Sequence, residues 1–126
     1  MSESPDSMSP STQSIRGFFN LANAWALTPV EQRTLLGGLP ESTLHQWHLE
    51  NDGVLTVDQL ERISQLLAIQ RCLQALLSTG TNEWVRQPNS NLLFGGRPAL
   101  EMMLAGGTRS LQQVRVFLEA QCGGWA

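Results

Sequence analysis

Apolar residues first recur with a helical period at Phe18, Leu21, Ala22 and Trp25, the i, i+3, i+4, i+7 spacing that lines one face of a helix. The period begins at Ile15. Residues 1–14 are rich in Ser and Pro and predict a tail whose ordering entropy no burial offsets. Thr28-Pro29-Val30-Glu31 reads as a capping box with Pro at the first helical position, predicting a second helix that ends at Gly37-Gly38. Leu39-Pro40-Glu41 turns the chain into a short third helix holding Thr43, Leu44 and Trp47. After the Asn51-Asp52-Gly53 loop, Thr56 with Gln59 repeats the capping-box pattern and opens a long fourth helix. Its apolar stripe, Leu60, Ile63, Leu66, Leu67, Cys72, Leu73, Leu76 and Leu77, runs to about Ser78. A short helix over 81–87, another over 98–105 and an amphipathic helix over 108–122, with Leu111, Val114, Phe117 and Leu118 facing inward, complete an all-α chain.

The second and third helices, joined by a tight glycine turn, form a helix-turn-helix pattern, because glycine accepts the positive φ that swings one helix across the other. The third helix would then present Glu41, Ser42, Thr43, His45, Gln46 and His48 to a major groove, where hydroxyl and amide groups meet bases and phosphates. Charge complicates this reading. The basic residues are all Arg, eight against eleven acids, for a formal charge of -3, the wrong sign for gripping nucleic acid by bulk electrostatics. No Arg or Lys lies between Arg33 and Arg62. Either this helix reads DNA, or it is a scaffold whose DNA affinity depends on dimer or complex geometry.

Catalytic chemistry is sparse. His45 and His48 share a helix but have no third ligand defined by spacing, and Cys72 and Cys122 have no metal-like spacing, so a metal site is not expected. No Ser-His-Asp or Cys-His set, phosphate loop or carboxylate pair stands out, which predicts a non-enzyme without cofactor. No run approaches the ~18 apolar residues of a membrane helix, so a cytoplasmic protein with free thiols is expected. At 126 residues and 41% hydrophobic the chain can bury a core, yet it is small enough to gain from oligomerising.

The densest local punctuation lies late in the chain: Trp84-Val85-Arg86-Gln87-Pro88-Asn89, then Phe94-Gly95-Gly96-Arg97-Pro98-Ala99-Leu100, then Met103-Leu104-Ala105-Gly106-Gly107. Arg86 and Arg97 could clamp an anionic group, or pair with Glu83 and Glu101 and fasten the loop. This block resembles the Xre/MbcA/ParS toxin-binding antitoxins of RES-Xre toxin-antitoxin pairs, which carry Trp-x-x-x-Pro-Asn, Gly-x-x-Pro-Leu-x-x-Leu and Gly-Gly; here Ala99 stands between Pro98 and Leu100. Upstream, Asp58 to Ile69 is similar to the family's Asp-Gln-x-x-Arg-Ile helix.

The resemblance implies a tail over 1–14, an Xre-like helix-turn-helix and dimerisation lobe over 15–78 carried into a long joining helix, and a small toxin-binding lobe over 79–126. It implies an antitoxin that covers the active site of a cognate RES-domain toxin, an NAD-degrading or ADP-ribosylating enzyme, and regulates its own operon. Toxin contact would fall on Arg97, Glu101, Gly106, Gly107, Arg109, Gln113 and the Trp125 terminus; DNA contact on Ser42, Thr43, His45, Gln46 and His48. Trp84, Pro88, Asn89, Gly96, Pro98, Leu100 and Leu104 would be architecture. Partners would be the toxin, a second copy of the chain and promoter DNA, with no membrane. A stand-alone transcriptional regulator and a helical module for another protein are the alternatives.

Overall fold

The computed structural model describes residues 9–122, and within them the chain forms helices and connecting turns joined by one isolated antiparallel bridge, Pro88 with Pro98. Expectations placed on residues 1–8 and on Trp125 lie outside the described residues. The first helix, α1, spans Pro10–Ala24 and so begins ahead of Ile15. Periodicity misses this start because a cap makes it: the Thr12 amide donates to Ser9 Oγ at 3.1 Å, and Pro10 occupies the first turn. Thr12 also donates its hydroxyl to Asp52 at 2.7 Å, anchoring that turn to the loop after the third helix.

Helix α2 spans Pro29–Leu35 and α4 spans Val57–Leu76, each opened by the capping box its sequence predicts. In α2 the Glu31 amide donates to Thr28 Oγ1 at 3.1 Å and Glu31 Oε1 accepts from the Thr28 amide at 2.9 Å. In α4, Thr56 and Gln59 exchange the same pair at 2.8 and 3.1 Å. Helix α3 spans Glu41–Glu50 and ends on Asn51 in the left-handed region, φ 51°. Between α2 and α3, Gly37 and Gly38 have φ of 88° and 89°, the conformation a tight helix-turn-helix corner requires.

Helix α4 is the spine, packed most extensively on the last helix and next on α1. Its buried face is Ile63, Leu66, Ile69 and Leu73, whereas Leu60 and Leu76, read from sequence as part of the stripe, are 39% and 43% exposed because they sit where no helix covers the spine. Ile69 is fully buried although it was absent from that stripe. Helix α5 spans Thr81–Arg86, and α6 spans Ala99–Cys122 with one non-helical residue, Gly107, at φ 66° and ψ -154°. Two helices meet there end to end, as the 98–105 and 108–122 pattern predicts. Core residues from both halves of the chain, such as Phe18, Trp25, Leu66, Val85, Phe94 and Val114, form a single buried cluster.

Candidate functional site

Two surfaces carry the residues singled out by sequence. On the first, Ser42 and His45 are exposed and line an open groove of about 490 Å³ with Pro29, Glu41, Leu44 and His48, between the start of α2 and the outer side of α3. Thr43 is half-buried and faces a separate groove with Leu39, Trp47 and Val54. Gln46 donates to Glu50 at 3.0 Å on the solvent side.

His48 is turned toward the α1 side instead. Its ring stacks on Phe19 with centroids 3.9 Å apart, and its Nε2 lies 2.9 Å from Gln32 Oε1. Because the Gln32 amide nitrogen donates to Leu27 O at 3.1 Å, the Gln32 oxygen faces His48 and the imidazole Nε2 is the donor. Burial, and then the neighbouring His45, holds the His48 pKa below its ordinary value, favouring the neutral ring that this contact uses.

Cations around α3 are already engaged, Arg16 among them, donating to Asn51 O at 3.1 Å. Arg33 donates to Leu39 O at 2.8 Å and lies 3.9 Å from Glu41, closing the helix-turn-helix corner. Arg62 pairs with Asp58 at 2.8 Å beneath that corner, where a methyl on Gly37 would come within 3.0 Å of its Nε. The outer face of α3 therefore presents hydroxyl, amide and imidazole groups beside Glu41 and Glu50.

The second surface is the loop and helix after α5. Pro88 and Pro98 pair across the isolated bridge, the Asn89 amide donates to Arg97 O at 3.2 Å, and Asn89 O accepts from the Gly96 amide at 3.0 Å, so residues 88–98 close on themselves. Asn89 Oδ1 accepts from the Asn91 amide at 2.9 Å, the turn-capping role its side chain suits. Phe94 plugs the loop into the core, edge-on to half-buried Trp84 at 6.0 Å and to Phe117 at 5.3 Å. Ala99 and Leu100 are both buried, and Leu104 is partly buried against the same core.

Arg86 does not pair with Glu83. Its guanidinium reaches across to the α1–α2 corner, donating to Trp25 O at 3.2 Å, to Ala26 O at 2.9 Å and to Glu31 Oε1 at 2.9 Å. Two carbonyls and a carboxylate gathered at one corner outcompete a neighbour on the same short helix. Burial opposes ionisation of Glu31, but hydrogen bonds from Arg86 and from the Thr28 backbone prevail and lower its pKa. Arg97 does pair with Glu101, at 3.7 Å on an exposed face.

Beyond Gly107, Arg109, Gln113 and Val116 form an exposed row along the outer side of α6, Val116 at 53% exposure, while Leu111, Val114 and Leu118 face the core. Among the described residues Arg109 makes no ion pair. Gly106 itself is confined: a methyl there would collide with the side chain of buried Ser110. Sequence patterning missed Gln70, which accepts from Trp25 Nε1 at 2.6 Å inside the core, and Gln65, which accepts from Arg115; nothing in hydrophobic periodicity marks a buried amide. Among the described residues no three His, Cys, Asp or Glu side chains group as a metal site, and no helix is long and apolar enough to cross a membrane.

A capped α2, a two-glycine corner and an α3 lying across the front of the bundle define a helix-turn-helix protein, and the comparisons narrow that class. Residues 9–68 match the antitoxin Xre-like helix-turn-helix domain, so the N-terminal half of the chain is similar to the DNA-binding-type domain of Xre-like antitoxins. Along nearly its full length it is also similar to the uncharacterized protein y4oB of Sinorhizobium fredii, 36% identical over 132 residues, which takes in 98% of this chain and all of the relative. The similarity thus includes the block from Trp84 to Gly107.

Proposed function

We propose that this chain is the antitoxin of a RES-domain toxin, holding the toxin inactive by covering its active-site cleft, and that it represses its own promoter from within a dimer or toxin complex. The observation that carries this reading is the 84–107 block, whose antitoxin-like motifs fold into a closed, core-anchored loop leading straight into an outward row of Arg109, Gln113 and Val116. A rigid loop and a helix face can occlude a cleft at little ordering cost. Arg97, Glu101 and Arg109 are exposed, and with the Gly106-Gly107 break they are the residues we assign to toxin contact.

Ser42, His45 and Gln46 are the outward groups of α3 suited to touch DNA; His48, held by Phe19 and Gln32, acts as their support. With Arg33 and Arg62 engaged and Glu41 and Glu50 flanking the helix, one copy binds DNA weakly, and pairing of two copies supplies the affinity. Leu49, Val54 and Val57, 73–87% exposed near the α3–α4 corner, are the surface we assign to that pairing through the N-terminal half.

Co-expression with a RES-domain protein encoded beside this chain tests the proposal. Growth rescue and co-purification are expected; an intact, folded antitoxin that neither rescues nor co-purifies would reject it.

A further inference from the structure

Cys72 lies near the end of α4 and Cys122 in the last turn of α6, separated by 50 residues in sequence. In the fold they meet. The Cys122 thiol points at Cys72 O, 3.7 Å away, so its sulfur lies directly beside Cys72 across the seam between α4 and α6. Both border an open groove of about 470 Å³ between the two helices, with Ala68, Arg71, Ala75 and Glu119 as its other walls. Ala68 and Ala75 are small walls of this groove, which gives a small solute a route to half-exposed Cys122, with Cys72 buried behind it. Opposed cysteines on two packed helices, one sulfur 3.7 Å from the other's carbonyl oxygen, can reach the approach that a disulfide needs despite their sequence separation.

We propose that Cys72 and Cys122 form a dithiol that hydrogen peroxide converts to an intramolecular disulfide, fastening the last turn of α6 to the spine α4. Cys122, the half-exposed member, meets the oxidant first. Its thiolate attacks one peroxide oxygen, the O–O bond breaks, and protonation of the leaving hydroxide gives one water and a Cys122 sulfenic acid. The Cys72 sulfur then attacks the Cys122 sulfur, the S–O bond breaks, and the departing hydroxide takes the Cys72 proton as a second water. Two thiols and one peroxide become one disulfide and two waters.

The order of events follows from the environments. Burial, the Cys122 thiol and then Glu119 push the Cys72 thiol up to about 11, so it remains protonated until an electrophilic sulfur is formed beside it. The bond ties down the helix that carries Arg109, Gln113 and Val116 on its outer side and closes a long loop, which narrows the unfolded ensemble.

The test treats the purified, reduced full-length chain with limiting hydrogen peroxide and reads it by intact mass, non-reducing peptide mapping and thermal unfolding. Expected are a monomer lighter by two hydrogens, a peptide pair joining Cys72 to Cys122, and a rise in Tm of roughly 5 °C or more that dithiothreitol reverses. Cys72→Ser, checked to unfold like the reduced parent, should stop at oxidised Cys122 with no rise. Sulfinic acid at Cys122 with Cys72 still alkylatable, disulfides only between chains, or a Cys72–Cys122 link that leaves Tm unchanged would each overturn the proposal.

Discussion

At the scale of single residues, three polar contacts hold the corners of the bundle. Trp25 and Gln70 form a buried pair across α1 and α4; Trp25→Phe leaves the Gln70 oxygen without its donor and should lower unfolding free energy by about 1–3 kcal/mol, measured by urea denaturation. Gln70→Leu added to Trp25→Phe should recover part of that loss, since both polar partners are then gone. Arg86 grips the α1–α2 corner through two carbonyls and Glu31, and a lysine cannot reproduce that fork, so Arg86→Lys should weaken the fold almost as far as Arg86→Ala. His48 gives the chain a pH response. Its folded pKa is lowered by burial and by His45, so its contribution is complete above the ordinary value of 6.5 and declines as pH falls below it toward the folded pKa. Urea midpoints taken from about pH 8 to about pH 5 should fall in the parent and fall less in His48→Gln. Glu31 and Asp52, whose pKa values are also lowered, add losses of the same sign only at more acid pH, below their ordinary 4.5 and 3.8.

At the scale of elements, helix ends and corners were legible in the sequence because side-chain chemistry makes them. Both predicted capping boxes form, the two-glycine corner turns where it should, and Asn51 ends α3. Less legible was everything decided by tertiary neighbours. The α1 start depends on a Ser9 cap and on Asp52, distant in sequence; the exposure of Leu60 and Leu76 depends on which helix covers α4; and the partner of Arg86 lies on another helix. Among the predicted DNA contacts, the facings of Thr43, half-buried over a separate groove, and of His48 could not be guessed, since helical spacing cannot tell that Phe19 and Gln32 engage the His48 ring. The break in α6 sets another test. Gly107 occupies a backbone region essentially closed to other residues, so Gly107→Ala should cost about 1–3 kcal/mol through backbone strain alone, the new methyl meeting nothing closer than Arg62 Nη2 at an ordinary 3.9 Å; urea denaturation reads the loss.

Across the whole molecule, one core runs through both halves, so the Xre-like segment and the loop-helix surface are presented in a defined relation to each other. Pairing through Leu49, Val54 and Val57 predicts a dimer by light scattering, with Val54→Glu and Val57→Glu together giving a folded monomer whose promoter affinity is much reduced; a monomeric parent would contradict that assignment. Toxin neutralisation is assigned to the opposite end of the chain and should survive in that monomer. The most direct measurement is NAD turnover by the purified cognate RES-domain toxin, titrated with the parent chain and with an Arg109→Glu, Gln113→Glu, Val116→Glu variant of unchanged Tm. Stoichiometric inhibition by the parent, and inhibition at least about tenfold weaker by the variant, are predicted; equal inhibition by both would move the contact elsewhere, and none by the folded parent would contradict the antitoxin role proposed for this chain.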